Sequence, residues 1–263
     1  MKLFKLCNLL VTYLLLFFIL AVVGTVFVRG LPGLSKALKV PEIIFAVKLS
    51  LYTSFVSTAL CLLVALPAAY ALARYRLPGR GVVASLLRIP LSLPPLVSGV
   101  CLLLFFGTTA CGEALERIGL RFVFTVPGII MAQFFVNVPG LLTVLKGAIE
   151  AVDVRLEYVA RTLGCSPGRA FVRVTLPLIK NSLLAGLILT WGKTSGEFGA
   201  VLMLAGAIRF KTETLPISIY LHMSTGDLDA LMASATILIL LSLISLAVFE
   251  KKGATLPGRV SGP

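Results

Sequence analysis

Six long apolar stretches constrain the fold of this sequence of 263 residues more than any other feature. They lie near residues 9–28, 47–73, 82–107, 122–145, 176–205 and 231–249. A helix needs about 20 predominantly apolar residues to cross a bilayer, and each stretch is close to that length or exceeds it. A mean hydropathy of +1.03 and only 13% charged residues agree with a polytopic membrane protein. Because strict alternation of apolar and polar residues is missing, we predict an all-α protein with about six transmembrane helices.

The basic residues predict how these helices are oriented. A net charge of +13 would suggest nucleic acid in a soluble chain, but Lys and Arg also orient membrane proteins by favouring cytoplasmic loops. With the N-terminus inside, fourteen basic residues fall in the cytoplasm and eight fall outside. We therefore expect a multi-pass protein of the plasma or inner membrane, with both termini in the cytoplasm and no nucleic-acid partner. The first stretch exceeds the roughly 7–15 residues of a signal-peptide core, which favours a retained helix.

One membrane domain is expected to account for most of the chain. We assign residues 1–46 to an N-terminal transmembrane helix and outer loop, residues 47–250 to the transport domain, and residues 251–263 to a cytoplasmic tail. Within the third apolar stretch, Pro90 is followed closely by Pro94-Pro95. Because prolines remove backbone donors, this segment is predicted either to face partner helices or a cavity, or to form a plain kink inside the bundle.

No catalytic or metal-binding constellation stands out in the sequence. The five cysteines are scattered without C-x-x-C spacing, so neither a disulfide framework nor a zinc site is predicted. The single histidine, His222, is expected in a solvated outer loop near Asp227 and Asp229. Gly192-Lys193-Thr194 imitates part of a phosphate-binding loop, but Leu187 stands where that pattern requires a glycine. We therefore expect no enzyme activity and no cofactor bound by this chain.

Residues 150–175 form a charged segment between two apolar stretches, which predicts a loop outside the membrane. Four side chains in it recur at helical spacing and form an apolar stripe: Leu156, Val159, Ala160 and Leu163. A polar hairpin gains little by lying against lipid, so this segment favours contact with another protein. An ordinary solvated loop is the alternative interpretation.

Local signals in this segment predict a helix, a tight turn and a second helix. Gly164 is suited to end the first helix, because glycine adopts the left-handed conformation at little cost. Ser166 is suited to cap the second helix, and Pro167 fits its first position. The predicted hairpin is a compact unit that fits a groove of another protein and transmits a rigid-body movement.

This hairpin resembles the cytoplasmic loop by which permease subunits of ABC importers contact their ATPase. The family pattern is E-A-A-x3-G-x9-I-x-L-P. In this chain Tyr158-Val159-Ala160 stands at the position of E-A-A, Gly164 matches the glycine, and Val174-x-Leu176-Pro177 matches the end. Tyr158 replaces the glutamate of the pattern, and Glu157 precedes it by one residue. The chain thus departs from the family pattern at the residue that would make an ion pair with the ATPase.

The resemblance implies a type I ABC importer permease (MetI-like) fold and a set of partners in the lipid bilayer and beside it. These are a second copy of the chain, two cytoplasmic ATPase subunits that hold ATP and Mg²⁺, and an extracellular or periplasmic oxyanion-binding protein. The contact with the ATPase is expected within residues 153–173. The residues that the resemblance assigns to this coupling are Glu157, Tyr158, Val159, Ala160, Gly164, Ser166 and Pro167.

A second stretch resembles permeases of molybdate and tungstate importers. It begins with Gly196-Glu197-Phe198-Gly199, reaches Gly206, and continues with Lys211-Thr-Glu-Thr-Leu-Pro216. Sulfate permeases share a related stretch, and the similarity to this group covers roughly residues 45–250. The resemblance implies import of molybdate or tungstate, with sulfate or thiosulfate as the alternative.

Four residues near the fifth apolar stretch are the candidates for the pathway or gate. Lys193, Thr194 and Ser195 can donate hydrogen bonds at the depth where a divalent oxyanion needs them. Glu197 would repel an anion, and it follows Lys193 by four residues, so the two are placed to neutralise each other on one helix face. We interpret Glu197 as structural, and Lys193 as either its partner or a substrate contact.

Two other classes of function fit the sequence less well. An ion-coupled secondary transporter or a channel usually carries intramembrane carboxylates or histidines, and only Glu197 is a good candidate here. A membrane enzyme acting on lipids would show clustered Asp, His or Arg at the membrane surface, and the sequence shows no such cluster.

Overall fold

The computed structural model describes residues 2–253, and this part of the chain is helical, without a β-strand. Its elements are α1 (Lys2–Ala37), α2 (Pro41–Arg74), α3 (Arg80–Leu86), α4 (Ile89–Ser92), α5 (Pro95–Thr108), α6 (Ala110–Arg117), α7 (Val126–Glu150), α8 (Val154–Thr162), α9 (Pro167–Ala170), a π-helical turn (Phe171–Thr175), α10 (Leu176–Ser195), α11 (Gly199–Ala205), α12 (Leu215–Thr225) and α13 (Leu228–Gly253). The predicted all-α class is confirmed. Most of the predicted tail, residues 254–263, lies outside the described residues.

Five stretches of helix are long and apolar enough to cross a membrane. They are Phe4–Ser35, Pro41–Arg74, Val126–Glu150, Pro167–Ser195 and Leu228–Val248. The helices α5 and α6 are bent by 67° at the short break between them, and together they qualify as a sixth crossing. The prediction of about six spans is therefore confirmed, although the third span is not a straight helix.

Two of the predicted spans are broken. The stretch 82–107 is divided among α3, α4 and α5, and Leu93 is extended because it precedes Pro94, which disfavours the helical conformation. The stretch 176–205 stops at Ser195, and a new helix, α11, begins only at Gly199. Apolar composition continues across both breaks, so composition alone does not reveal them.

The centre of the bundle is formed by α2 and α7, with α10 packed on both. An apolar cluster between these helices includes the fully buried residues Cys61, Leu145 and Ile149. By contrast, α1 packs mainly against α13, and the most apolar part of α1 has no buried residue. Exposed apolar side chains on a spanning helix carry no penalty, because lipid is as apolar as they are.

The two ends of the bundle can be identified from the two ends of α2. This helix has 34 residues, which corresponds to about 50 Å at 1.5 Å per residue. Tyr70, in its last turns, hydrogen-bonds to Glu157 of α8. Glu42 lies in its first turn. We call these ends the α8 end and the opposite end.

A close backbone contact joins α5 to α11. A Cβ atom added to Gly99 would lie 2.8 Å from both the Cα and the carbonyl oxygen of Ala200 and 2.7 Å from Cβ of Met203. A Cβ atom added to Gly199 would lie 3.0 Å from the backbone nitrogen of Leu96. The glycine at the end of Gly196-Glu197-Phe198-Gly199 therefore lets α11 begin directly against the first turn of α5.

We predict that Gly99→Ala destabilises the protein, whereas Gly147→Ala does not. The added methyl group of Gly99→Ala meets backbone atoms of α11, and overpacking of this kind costs about 1–3 kcal/mol. Gly147 also lies inside a helix, but nothing is within 4 Å of its added Cβ, so the better helix propensity of alanine should maintain or raise stability. Thermal unfolding of both purified variants in detergent measures the difference. Equal melting temperatures would contradict the close contact.

Candidate coupling site and translocation pathway

The hairpin predicted around Gly164 is present, and local hydrogen bonds explain its shape. The side chain of Asp153 caps α8 by accepting a hydrogen bond from the backbone N–H of Arg155 at 2.9 Å. At the other end, the N–H of Cys165 donates to the carbonyl of Ala160 at 3.0 Å. Gly164 has a φ of +89°, in the left-handed region, which completes a Schellman turn. The predicted glycine cap is confirmed.

The second half of the hairpin leads directly into the membrane. Ser166 caps α9 by accepting a hydrogen bond from the N–H of Arg169 at 3.4 Å, and Pro167 occupies the first turn, as predicted. The helix then continues through the π-helical turn into α10 without a loop. The second half of the hairpin is therefore one end of the candidate spanning stretch Pro167–Ser195.

The carboxylate of Glu157 fixes α8 to the bundle. Its Oε1 accepts hydrogen bonds from Nε of Arg74 at 2.8 Å and from Oγ1 of Thr175 at 2.7 Å. Its Oε2 accepts a hydrogen bond from the hydroxyl of Tyr70 at 2.8 Å. The Nη2 of Arg74 also donates to the carbonyl of Val152 at 2.9 Å. One buried side chain thus ties α8 to the end of α2 and to the π-helical turn.

Electrostatics favours the charged form of Glu157 despite its burial. Its side chain is only 6% exposed, and that of Arg74 is 9% exposed. Burial by itself would raise the pKa of Glu157, but the hydrogen bonds from Thr175, Arg74 and Tyr70 outweigh it, and the pKa lies below its usual range. A buried ion pair is stable only when hydrogen bonds satisfy its remaining lone pairs, and this carboxylate accepts three.

The opposite face of α8 is apolar and exposed. Tyr158, Val159 and Leu163 are exposed to 54%, 56% and 80%, whereas Ala160 is half-buried. The hairpin and the π-helical turn after it also carry four arginines, and all of them are exposed: Arg155, Arg161, Arg169 and Arg173. A surface helix normally buries its apolar side chains and exposes its acids, and α8 does the reverse. We call the exposed set of Leu156, Tyr158, Val159 and Leu163 the α8 surface.

A cavity of about 450 Å³ with mostly apolar walls and a few polar side chains lies where the broken spans meet α7 and α10. Its walls include Pro90 and Pro95 from the broken third span, Asn137 from α7, and both Lys193 and Glu197 from the end of α10. The broken proline segment therefore faces a cavity, which was one of the two predicted alternatives. The structure brings two of the four predicted pathway residues, Lys193 and Glu197, to the same space.

Lys193 and Glu197 do not form the helical pair that their spacing suggested. Helix α10 ends at Ser195, and Glu197 lies beyond it, so the four-residue spacing does not place the two side chains on one helix face. Within the described residues, no ion pair of 4 Å or less joins them, and the Oε1 of Glu197 instead accepts a hydrogen bond from the N–H of Ala200 at 3.2 Å. The predicted pairing is wrong, and Glu197 caps α11.

Thr194 and Ser195 do not line the cavity. Both residues are buried, and they donate to helix carbonyls, Thr194 to Thr190 at 2.7 Å and Ser195 to Trp191 at 2.9 Å. The buried side chain of Gln133 donates to the carbonyl of Thr194 at 3.0 Å and joins α7 to α10. Sequence analysis missed Gln133, because its partner lies 61 residues away.

The predicted position of His222 is wrong. It lies in α12 rather than in a loop, and it is only 4% exposed because α12 packs against α2 and α13. Of the two acids expected in the same loop, Asp227 does lie between α12 and α13, where it accepts a hydrogen bond from the N–H of Ala230, but Asp229 lies in the first turn of α13. The buried acid near His222 is instead Glu213.

A bundle of several spans, a cavity between broken spans and an apolar helix exposed outside the bundle are features of a membrane permease. Residues 62–251 match the family described as the binding-protein-dependent transport system inner membrane component. The chain belongs to this family, and it is a multi-pass permease subunit of an ABC importer.

Relatives and solved structures agree with this assignment. The molybdenum transport system permease protein ModB of Mycobacterium tuberculosis is 37% identical over 242 residues, which cover 87% of this chain and 90% of that protein. The sulfate transport system permease protein CysW of Synechococcus elongatus is 36% identical over 192 residues, which cover 73% and 67%. A chain in the structure of a bacterial alginate ABC transporter, in complex with an alginate pentasaccharide-bound periplasmic protein, has a TM-score of 0.68 at 18% identity and coverages of 95% and 92%. The predicted type I importer permease fold is confirmed.

We predict that Glu157→Ala strongly destabilises the protein. The substitution leaves the buried guanidinium of Arg74 without its counter-ion, and breaking a buried pair in this way costs about 3–5 kcal/mol. Glu113→Ala is the matched control, since the side chains of Glu113 and Arg117 are 65% and 82% exposed, and an exposed pair contributes at most about 1 kcal/mol. Thermal unfolding in detergent compares the two variants. A small effect of Glu157→Ala would contradict the role of its carboxylate in fixing α8.

The stability gap between the wild-type chain and Glu157→Gln should also depend on pH. Because the pKa of Glu157 is lower in the folded chain than in the unfolded chain, its stabilisation is complete above the unfolded value of about 4.3. It is lost as the pH falls through the folded pKa, because the unfolded chain then binds a proton that the folded chain does not. The melting temperatures of the wild-type chain and of Glu157→Gln, measured from pH 7 down to pH 3.5, should therefore approach each other below about pH 4.3. A difference between them that stays constant over this range would contradict the lowered pKa of Glu157.

Proposed function

We propose that this chain imports a tetrahedral oxyanion, molybdate or tungstate, and that α8 couples it to a separate ATPase. The observation that supports the coupling is the distribution of side chains on α8: its acid is buried, and its apolar side chains are exposed to water. Four apolar side chains held rigidly outside the bundle gain stability only when another protein covers them. The relative with 37% identity is a molybdenum permease, which supports the substrate.

The seven predicted coupling residues divide into three groups in this proposal. Tyr158 and Val159, with Leu163 beside them, make the contact, and Ala160 lies at its edge. Glu157 holds α8 in place from inside, so it positions the contact rather than making it. Gly164, Ser166 and Pro167 shape the turn by which α8 joins α10. The ATPase groove would present apolar walls and an acidic rim to match the exposed arginines of the hairpin.

The complex that we propose has two copies of this chain, two ATPase subunits and an external binding protein. ATP and Mg²⁺ would bind to the ATPase subunits, and both termini of the permease would lie in the cytoplasm together with α8. ATP binding would draw the two α8 hairpins together, and α10 would carry that movement to the cavity through the continuous helix. The alginate transporter complex, which includes a periplasmic protein, supports the kind of external partner.

Lys193 is the cation that we propose to meet the oxyanion in the cavity. It is exposed, and Asn137 and Glu197 lie on the same walls. A divalent anion cannot cross hydrocarbon unpaired, so the pathway needs positive charge. The carboxylate of Glu197 reduces that positive charge, which keeps binding weak enough for release. Domain limits of 1–46, 47–250 and 251–263 remain our proposal for the chain.

A reconstitution experiment tests the proposed transport. Proteoliposomes would contain the permease, its ATPase and the binding protein, with radiolabelled molybdate, tungstate or sulfate outside. We expect molybdate or tungstate uptake that requires Mg-ATP. Lys193→Ala should reduce this uptake. Lys180 is an exposed lysine on the same helix, so Lys180→Ala is the control and should leave the uptake unchanged. Preferential sulfate uptake would assign the chain to sulfate import, which the relative from Synechococcus elongatus favours as the second candidate. Uptake driven by a proton gradient without nucleotide would contradict the importer mechanism.

We predict that Leu163→Asp uncouples the ATPase without unfolding the permease. Leu163 is 80% exposed, so an aspartate there disturbs no packing in the isolated chain. Desolvating the new charge in an apolar interface should cost at least about 2 kcal/mol, or roughly 30-fold in affinity for the ATPase. Binding to the purified ATPase and stimulation of ATP hydrolysis are the measurements.

The control for this variant is Ile118→Asp, an equally simple change at a residue that is 72% exposed and follows α6 at the opposite end of the bundle. It should leave both the affinity for the ATPase and the stimulation of hydrolysis unchanged. Unaltered ATPase binding by Leu163→Asp would show that the α8 surface is not the contact.

A further inference from the structure

Three potential metal ligands meet at the opposite end of the bundle. Glu42 lies in the first turn of α2, Glu213 lies in the segment before α12, and His222 lies in α12. One oxygen of each carboxylate and one imidazole nitrogen all lie within 4.8 Å of one another. No part of this cluster lines the cavity that holds Lys193. The cluster therefore needs an explanation of its own.

Two atoms of the cluster are buried without a hydrogen-bond partner. Glu213 is 0% exposed, and its Oε1 has no partner among the described residues. His222 is 4% exposed, and its Nε2 likewise has no partner in the described part of the chain. The other oxygen of Glu213 accepts a hydrogen bond from the N–H of Phe210 at 3.2 Å, which fixes the carboxylate in place. A buried polar atom without a partner costs about 1–3 kcal/mol, so two of them side by side point to a ligand.

We propose that Glu42, Glu213 and His222 bind a divalent transition-metal ion, with Zn²⁺ as the best match. One imidazole nitrogen and two carboxylate oxygens form a ligand set that Zn²⁺ accepts, and the two carboxylates neutralise its charge. Donor atoms on a tetrahedral ion with bonds of about 2.1 Å lie roughly 3.4 Å apart. The three side chains therefore need to draw together by about an ångström, and a water molecule completes the coordination.

Access and charge at the site are compatible with an ion. The side chain of Glu42 is 23% exposed, so an ion can enter from solvent past this residue. Arg209 donates from Nη1 to Oε1 of Glu42 at 3.1 Å, which orients the carboxylate and adds one positive charge nearby. That guanidinium is 42% exposed, and water screens it far more than it screens the buried Glu213. The competing arrangement without metal is a direct hydrogen bond between His222 and Glu213.

The consequence of this site is an additional clamp on three elements at this end of the bundle. An ion would tie the start of α2 to the segment before α12 and to α12 itself. Phe210 in that segment has a φ of +56°, which is strained for a residue other than glycine, and its ring lies 5.8 Å from that of Phe45 on α2. An ion would therefore hold a strained turn against α2 at the end far from α8.

Isothermal titration of the purified, metal-stripped full chain with ZnCl₂ tests the site. The protein should carry no polyhistidine tag, because the tag itself binds Zn²⁺. We expect one ion to bind per chain and the melting temperature of the protein to rise when Zn²⁺ is present. His222→Gln and Glu213→Gln should weaken binding by about tenfold or more, since even losing a group that merely orients a ligand costs that much. Glu42→Gln, at a partly exposed position, serves if the buried variants do not fold. Glu116→Gln, an exposed acid paired with Arg121, is the control and should bind as the wild type does.

Zinc X-ray absorption spectroscopy identifies the ligands directly. We expect oxygen and nitrogen neighbours at about 2.0–2.2 Å. Sulfur neighbours at about 2.3 Å would place the ion on the cysteines and overturn the proposal. It is equally overturned if no Zn²⁺ binds, or if Glu42→Gln, Glu213→Gln and His222→Gln all bind as tightly as the wild type.

Discussion

The carboxylate of Glu157 is the interaction on which the arrangement of this permease depends. It receives hydrogen bonds from the last turns of α2 and from the π-helical turn that leads into α10, and it belongs to α8 itself. Without it, α8 would lose its side-chain hydrogen bonds to α2 and to the π-helical turn. A hairpin that rotates freely cannot transmit a push, whereas one held by a buried ion pair and two hydroxyls moves as part of the bundle. The free-energy cost of desolvating this carboxylate is thus offset by its ion pair and hydrogen bonds. The result is a rigid connection between α8 and the spanning helices.

The burial of Glu157 also explains why the apolar side chains of α8 are exposed. Burying the acid forces the neighbouring apolar side chains to the outside, because residues three and four apart share a helix face and the remaining positions point away. The outcome is a surface that is unfavourable in water until a partner covers it. In the proposed complex, the exposed arginines of the hairpin would provide the charge that selects an acidic partner. In this proposal, stability within the chain and recognition by another subunit come from opposite faces of one short helix.

Local signals were enough to predict the hairpin but not its attachment. Gly164, Ser166 and Pro167 act through backbone geometry within a few residues, and each one occupies its predicted position. The partners of Glu157 lie up to 87 residues away, so helical spacing could not reveal which way its side chain points. His222 was misplaced for the same reason, because the packing of α12 against α2 and α13 decides its burial. The end of α10 at Ser195 was missed because the apolar run continues beyond it, and only the backbone shows that Gly196 ends the helix.

That missed helix end matters for the chemistry of the cavity. Had α10 continued, Lys193 and Glu197 would have faced each other one turn apart, and the cation would have been neutralised by its own helix. The break instead gives Glu197 the task of capping α11, while Lys193 stays exposed on a wall that also carries Asn137. Gly199 makes this possible, because its missing side chain lets α11 start against α5. In the proposed pair of subunits, two such lysines would approach one pathway. Their mutual repulsion would favour a form in which an anion lies between them, and would ease its release when the walls separate.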